Sequence, residues 1–102
     1  MKKDEALEIA RTYAKRVRAE IDAGAEIYLF GSAARDEMSE RSDIDVAVVS
    51  RVFSADVIEN RVRLMLLSNT VSFDIEPHPV IQEDWEDVTP FIQEIQRDGI
   101  LI

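Results

Sequence analysis

The segment that most constrains the fold runs from Asp43 to Val49 and reads Asp-Ile-Asp-Val-Ala-Val-Val. Successive side chains of a β-strand point to opposite faces, so Asp43 and Asp45 share one face and Ile44 lies on the other. After the second acid, the segment is apolar on both faces, which is typical of a strand covered on both sides of its sheet. The sequence therefore predicts a covered strand that begins with two carboxylates.

A turn of small residues precedes these acids. Gly31 and Ser32 follow the apolar run 27–30, and ten residues separate Ser32 from Asp43. Backbone N–H groups and a hydroxyl in such a turn can bind phosphate oxygens. Carboxylates are hard oxygen ligands for Mg²⁺, which in turn bridges to phosphate. We therefore interpret the two segments as one site for magnesium and a polyphosphate.

Helical periodicity predicts three longer helices, at residues 3–23, 55–67 and 91–97. Gly24 and Gly99 are well placed to end the first and the last. Ser54 is expected to cap the second helix, and Thr89 with Pro90 is expected to begin the third. In the second helix, the apolar positions that keep helical spacing are Val57, Ile58, Val62, Met65 and Leu66.

Three apolar runs predict strands, at residues 27–30, 44–49 and 71–75. Pro77 and Pro79 are expected to end the third, because proline cannot donate a hydrogen bond within a sheet. Helices alternate with these strands along the chain, which predicts an α/β or α+β fold.

Asp74 and Glu76 form a second pair of acids two residues apart, on one face of the third strand. If that strand lies beside the second, three or four carboxylates converge, and their mutual repulsion calls for cations. Two metal ions would relieve it and are the usual arrangement for in-line attack on phosphorus. In this scheme Asp43 and Asp45 bind the metals. Asp74 completes the site or accepts a proton, with Glu76 as its substitute.

Size and charge limit the ligands of the chain. Its 102 residues, 46% of them hydrophobic, fit a single domain spanning residues 1–102. The formal net charge of -9 would repel a nucleic-acid backbone, so we do not expect nucleic acid as a direct ligand. The absence of cysteine excludes disulfides and thiolate metal sites. Without an apolar leader or a membrane-length apolar run, a soluble cytoplasmic protein is expected.

Segments 31–35 (Gly-Ser-Ala-Ala-Arg) and 42–48 (Ser-Asp-Ile-Asp-Val-Ala-Val) resemble the minimal nucleotidyltransferases of the DNA polymerase β superfamily. Residues 73–75 resemble the later strand of this family, which carries the third acid, and residues 91–101 resemble the end of its small members. The resemblance covers nearly the whole chain and implies a polymerase β-like fold, a small mixed sheet flanked by helices. One departure is Asp36, where many relatives have glycine.

The resemblance also implies an activity and a partner. Family members of this length commonly act as antitoxins beside a helical HEPN-domain toxin, and some transfer AMP from ATP to a tyrosine hydroxyl of that toxin. Carried over, the family pattern implies two Mg²⁺ ions and ATP. The residues implied are Asp43, Asp45 and Asp74 for metal and catalysis, and Gly31, Ser32 and Arg35 for nucleotide phosphates.

Several alternatives stay open at the level of sequence. The domain could be an inactive binding module that neutralises its partner by occlusion, and an oligomer is compatible with its size. Arg35 either contacts phosphate or pairs with a nearby acid. His78, between two prolines, is interpreted as structural, and Trp85 and Phe91 as core anchors. The apolar end 100–102 either joins the core or meets a partner surface.

Overall fold

The strand that the two acids introduce lies in the interior of a four-stranded mixed sheet. The computed structural model describes residues 1–39 and 41–102. Its elements are α1 (Lys3–Glu20), β1 (Glu26–Phe30), α2 (Gly31–Ala34), β2 (Ile44–Ser50), α3 (Val57–Ser68), β3 (Ile75–Ile81), a 3₁₀ helix (Gln82–Glu86), α4 (Pro90–Asp98) and β4 (Ile100–Leu101). The strand order in the sheet is β3-β2-β1-β4. The predicted fold class, a small mixed sheet flanked by helices, is confirmed.

Helices cover β2 on both faces, as its two-sided apolar sequence predicts. Ile44, Val46 and Val48 point into the larger core, which α1 and α3 close. Ala47 and Val49 point to the opposite face, where they pack beneath α4. Asp45 lies on this second face by the alternation of the strand. The site is therefore on the α4 side of the sheet.

The prediction that prolines end the third strand is wrong, because β3 begins at Ile75 and continues through Pro77 and Pro79 to Ile81. The backbone N–H of Ile44 donates to the carbonyl of Asp74 at 2.8 Å. In a parallel pair, alternate residues point their N–H groups toward the neighbouring strand. Pro77 and Pro79 both occupy positions whose backbone nitrogen points away from β2. Because β3 is an edge strand, they cost no sheet hydrogen bond.

The helix α3 begins two residues later than predicted and is capped by a different side chain. Asp56, rather than Ser54, is the N-cap, and its carboxylate accepts a hydrogen bond from the N–H of Glu59. Leu64 and Leu67 face the core, whereas the five apolar positions that define its sequence periodicity are all exposed. The buried side chain of Asn60 helps to set which face of α3 meets the core. Its amide oxygen accepts a hydrogen bond from the N–H of Ser54, and its amide nitrogen donates to the carbonyl of Ser54.

The C-terminal residues join the sheet. Ile100 and Leu101 pair with β1 as the short antiparallel strand β4. The guanidinium of Arg18 then donates to the carbonyl of Ile102 at 2.6 Å. Helix α4 begins and ends as predicted, with Thr89 as its N-cap and Gly99 after its last residue. No helix in the described part of the chain is both long and apolar enough to span a membrane.

A carboxylate fastens the turn after α1 to the far end of β2. Asp22 accepts hydrogen bonds from the hydroxyl of the buried Ser50 at 2.6 Å and from the N–H of Gly24 at 2.9 Å. The bond from Ser50, followed by that from Gly24, lowers the pKa of Asp22 below its ordinary value. Folding therefore favours the ionised carboxylate, and this stabilisation is present above the unfolded-state pKa.

We expect Asp22→Asn to lower the free energy of unfolding at pH 7 by about 1 kcal/mol, the net scale of one intramolecular hydrogen bond. The wild type loses this stabilisation as pH falls through the lowered pKa of Asp22, so the difference should shrink in acid. Urea unfolding of both proteins at pH 7 and at a series of acidic pH values measures this. A difference that stays constant with pH would contradict the assignment.

Candidate active site

The side chain of Asp45 lies against the turn that follows β1. The antiparallel pairing of β1 and β2 sets Phe30 opposite Asp45, so Gly31 comes directly beside the carboxylate. Gly31 has a φ of 68°, in the left-handed region that favours glycine. A Cβ atom at this position would lie 2.5 Å from Oδ2 of Asp45. Glycine is therefore required both by the backbone conformation and by the closeness of the acid.

The parallel pairing of β2 with β3 brings two more polar side chains to Asp45. Glu76 is directly across from Asp45, and His78 is across from Ala47 on the same face. One ligand atom from each of Asp45, Glu76 and His78 lies within 4.8 Å of the others. We call these three side chains the polar cluster. Its donor set of two carboxylates and one imidazole suits a divalent cation.

His78 holds the carboxylate of Asp45 from the side opposite to Gly31. Its Nε2 lies 3.2 Å from Oδ1 of Asp45, and with a proton on Nε2 the imidazole donates to the carboxylate. Phe30 and Phe91 pack around the imidazole ring, with ring centroids at 5.1 Å and 5.7 Å. Both oxygens of Asp45 thus have a defined neighbour, which restricts the directions in which the carboxylate can present a lone pair.

Asp43 and Asp74 lie at the same end of the sheet but outside the polar cluster. Each immediately precedes its strand, and both are exposed. The backbone of Asp74 is held by two bonds, from the N–H of Ile44 to its carbonyl and from its own N–H to Ser72 Oγ. The structure therefore brings Asp45 together with Glu76, the substitute for Asp74, and leaves the side chains of Asp43 and Asp74 in solvent.

The predicted phosphate-binding residues lie on and beside α2. Ser32 is half-buried in this one-turn helix. Arg35 is exposed and its guanidinium bonds the carboxylate of Glu37 at 3.1 Å. The hydrogen bond that Arg35 donates to Glu37 raises the pKa of Arg35 above its ordinary value. Of the two alternatives for Arg35, the structure contains the ion pair with a nearby acid, and the exposed guanidinium remains near the site.

The residue that departs from the family pattern has the backbone conformation of a glycine. Asp36 adopts a φ of 57° after α2, in the left-handed region. Aspartate is one of the few side chains that enter this region at moderate cost, because its short polar group can bond locally. The loop therefore makes a turn of the kind that favours glycine, with aspartate in its place.

Sequence reasoning missed His78, which it treated as structural. A signal was present, because His78 follows Glu76 by two residues, the same alternation that joins Asp43 and Asp45. The predicted strand end at Pro77 hid this relation. Trp85 and Phe91 are both interpreted as core anchors from the sequence, but the structure distinguishes them. Trp85 stacks on Tyr28 at a centroid distance of 5.1 Å, whereas Phe91 is 40% exposed and borders His78.

An apolar cavity of about 240 Å³ lies at the β3 edge of the sheet, where residues of both α3 and α4 line it. Its walls include Pro79, Val80 and Ile92, and Phe91 separates it from His78. None of the three side chains of the polar cluster lines it. The cavity is therefore a neighbour of the acidic end of the sheet and not part of the cluster.

The four-stranded mixed sheet flanked by helices is a fold that solved structures share. A family model described as a nucleotidyltransferase domain matches residues 10–100, so the chain belongs to this family. The predicted family is confirmed. A comparison with curated protein sequences gave no significant match.

Solved structures share the fold. A candidate nucleotidyltransferase from Sulfolobus solfataricus aligns with a TM-score of 0.69 at 20% identity, over 97% of this chain and 80% of that one. Two structures of a toxin-antitoxin pair named MntA-HpeT also align. One carries two aspartate-to-glutamate substitutions (TM-score 0.64, 22% identity, 90% of this chain and 70% of that one). The other carries a tyrosine-to-alanine substitution (TM-score 0.62, 27% identity, 90% and 69%).

We expect Gly31→Ala to destabilise the protein by about 1–2 kcal/mol, because alanine in the left-handed region is strained and its Cβ would displace Asp45. Gly24→Ala is the matched control, since a Cβ there would make only an ordinary contact of 3.5 Å with Asp22. Thermal unfolding of both variants measures the difference. Equal melting temperatures for the two would contradict the close approach of Gly31 and Asp45.

We expect His78→Phe to weaken Mn²⁺ binding by roughly tenfold, the scale of losing a residue that orients a metal ligand. Phenylalanine keeps the packing against Phe30 and Phe91 but loses the nitrogen beside Asp45. His78→Gln, which keeps a donor, should retain most of the affinity. The loss of the free Mn²⁺ signal in electron paramagnetic resonance measures binding. Full affinity in His78→Phe would reduce the histidine to a packing role.

Proposed function

We propose that this chain is a metal-dependent nucleotidyltransferase that moves AMP from ATP to a hydroxyl, in particular a tyrosine hydroxyl, of a partner protein. The partner is a helical HEPN-type toxin, and the chain acts as its antitoxin in the cytoplasm. The single observation that carries this proposal is the register of β2 and β3, which sets Asp45 against Glu76 at the strand ends beside Gly31. A nucleotidyltransferase family member has a use for such a cluster, whereas a purely structural domain does not.

The metal ligands we propose are Asp45 and Glu76 from the polar cluster and Asp43, which immediately precedes β2. Their oxygens suit Mg²⁺, and two ions are proposed. The ions, when bound, neutralise the triphosphate and the charge that develops at phosphorus. Glu76 takes precedence over Asp74 as the third acid because its oxygen lies within 4.8 Å of the Asp45 ligand atom. Asp74 stays a proposed second contributor at the same sheet end.

The proposed reaction is an in-line displacement at the α-phosphorus of ATP. The oxygen of the acceptor hydroxyl forms a bond to phosphorus, the bond from phosphorus to the bridging oxygen breaks, and pyrophosphate leaves. The hydroxyl proton passes to the carboxylate of Glu76 or Asp74. Gly31 and Ser32 hold the β- and γ-phosphates through backbone N–H groups and the hydroxyl, and Arg35 stands at the exposed edge of this turn.

Charge supports a protein acceptor. Residues 71–102, which include β3 and α4, hold eight acidic and one basic side chain. Such a surface repels nucleic acid and attracts a basic protein surface. Two of the similar structures are toxin-antitoxin pairs, and one of them carries two aspartate-to-glutamate substitutions. The same pairing, with aspartates at positions 43 and 45, is proposed for this chain.

The test is co-expression with the adjacent gene product, followed by intact-mass measurement of that product. We expect a mass increase of one or more AMP units on a tyrosine. Asp43→Asn, Asp45→Asn and Glu76→Gln should each reduce transfer at least about 100-fold, since each removes an anionic metal ligand. Asp74→Asn is the matched comparison and should cost less.

Each outcome distinguishes the candidate roles. A larger loss in Asp74→Asn than in Glu76→Gln would return the third position to Asp74. Neutralisation of the partner without any mass increase, undiminished in Asp43→Asn, would contradict the enzyme and favour a module that acts by occlusion. Full transfer by both Asp43→Asn and Asp45→Asn would refute the site.

A further inference from the structure

The outer face of α3 carries an apolar stripe that nothing in the described part of the chain covers. The stripe is formed by side chains one helical turn apart, Ile58, Val62, Met65 and Leu66. Ile58 is 75% exposed and Leu66 is 67% exposed. The opposite face of the helix already meets the core through Leu64 and Leu67. The helix is therefore apolar on two faces, which is the pattern of a helix buried on both sides.

The stripe lies on the side of the molecule away from the polar cluster. Helices α1 and α3 pack together on one face of the sheet, and Asp45 and His78 lie on the other. The sheet therefore separates the stripe from the polar cluster, and the stripe is a surface distinct from the one at which the proposed reaction takes place.

Charge is divided between the two sides of the molecule. Residues 1–23 and 51–70, which contain α1 and α3, hold nine basic and seven acidic side chains. The remaining residues hold three basic and fourteen acidic side chains. Two copies that meet through α3 therefore bring their nearly neutral sides together and keep their strongly acidic sides apart.

The charges that flank the stripe are self-complementary. Glu59 and Arg63 are both exposed and lie one turn apart on the same flank, where they line a groove with Ile58, Val62 and Leu66. Two antiparallel copies of α3 can be related by a two-fold axis near Val62. This axis leaves the flank with Glu59 and Arg63 on the same side of the helix pair in both copies, and it reverses the direction in which the flank runs. Glu59 of one copy then faces Arg63 of the other, twice in each dimer.

We propose that α3 is a homodimer interface, in which two copies of this chain pack their stripes antiparallel about a two-fold axis near Val62. The stripe exposes on the order of 400–500 Å² of apolar surface, at the upper end of what a soluble monomer leaves uncovered. Pairing two copies buries on the order of 1,000 Å², near the lower limit of specific interfaces, so the dimer dissociates at micromolar concentration.

Sedimentation velocity of the full chain from 2 to 200 µM tests this interface. The wild type should shift from monomer to dimer over this range. Leu66→Glu should remain monomeric, because the substitution raises the dissociation constant of the dimer at least about tenfold. Val88→Glu is the matched control, because it makes the same change at a side chain that is 83% exposed and lies outside α1 and α3. Thermal unfolding should show that both variants stay folded.

A charge exchange gives a second, independent measurement. Glu59→Arg and Arg63→Glu should each weaken the dimer, because like charges then face each other, and the double variant should restore it. A wild type that stays monomeric at 200 µM, or a dimer unaffected by Leu66→Glu, would overturn the proposal. If both single variants weaken the dimer and the double variant does not restore it, the antiparallel arrangement is overturned. A monomer that captures a different co-expressed protein through Leu66 would also overturn it.

Discussion

The parallel pairing of β2 with β3 is the constraint on which the site depends. The register that joins Ile44 to Ile75 sets Asp45 beside Glu76 and continues to Ala47 and His78. A shift by one residue would turn the acids into the larger core, where an unpaired charge is strongly disfavoured. The register is also held from outside the site, since Ile44 and Ile75 are buried in the same core. Packing on one face of the sheet thus aligns the polar groups on the other.

A single crowded contact links this pairing to the turn that follows β1. Gly31 adopts a left-handed conformation at the start of α2 and leaves no room for a side chain beside Asp45. His78 approaches the same carboxylate from its other oxygen. Asp45 is therefore oriented from two sides, by Gly31 after β1 and by His78 on β3. Preorganisation of this kind reduces the cost of presenting oxygens to a cation and its bound phosphates.

The two sides of the molecule have different chemistry. The α4 side is strongly acidic and carries the polar cluster, whereas the α1 and α3 side is nearly neutral and exposes an apolar stripe. The first carries the proposed sites for a cation, a nucleotide and a basic acceptor protein, and the second carries the proposed dimer interface. Because the sheet separates the two surfaces, both can be occupied at once. The proposed dimer would present two polar clusters facing away from each other.

The sequence by itself determined the features that local periodicity and turn chemistry specify. These are the strands β1 and β2, the acids at 43 and 45, the glycine turn and the helix that Thr89 and Gly99 delimit. Tertiary structure decided the rest. Pro77 and Pro79 are compatible with a strand only because β3 lies at an edge with their nitrogens outward. The periodicity of α3 showed an apolar stripe, but only packing decided which side of the helix meets the core. His78 joined Asp45 only through the register of β2 and β3, between which the 24 residues 51–74 lie, and local sequence does not specify such a pairing.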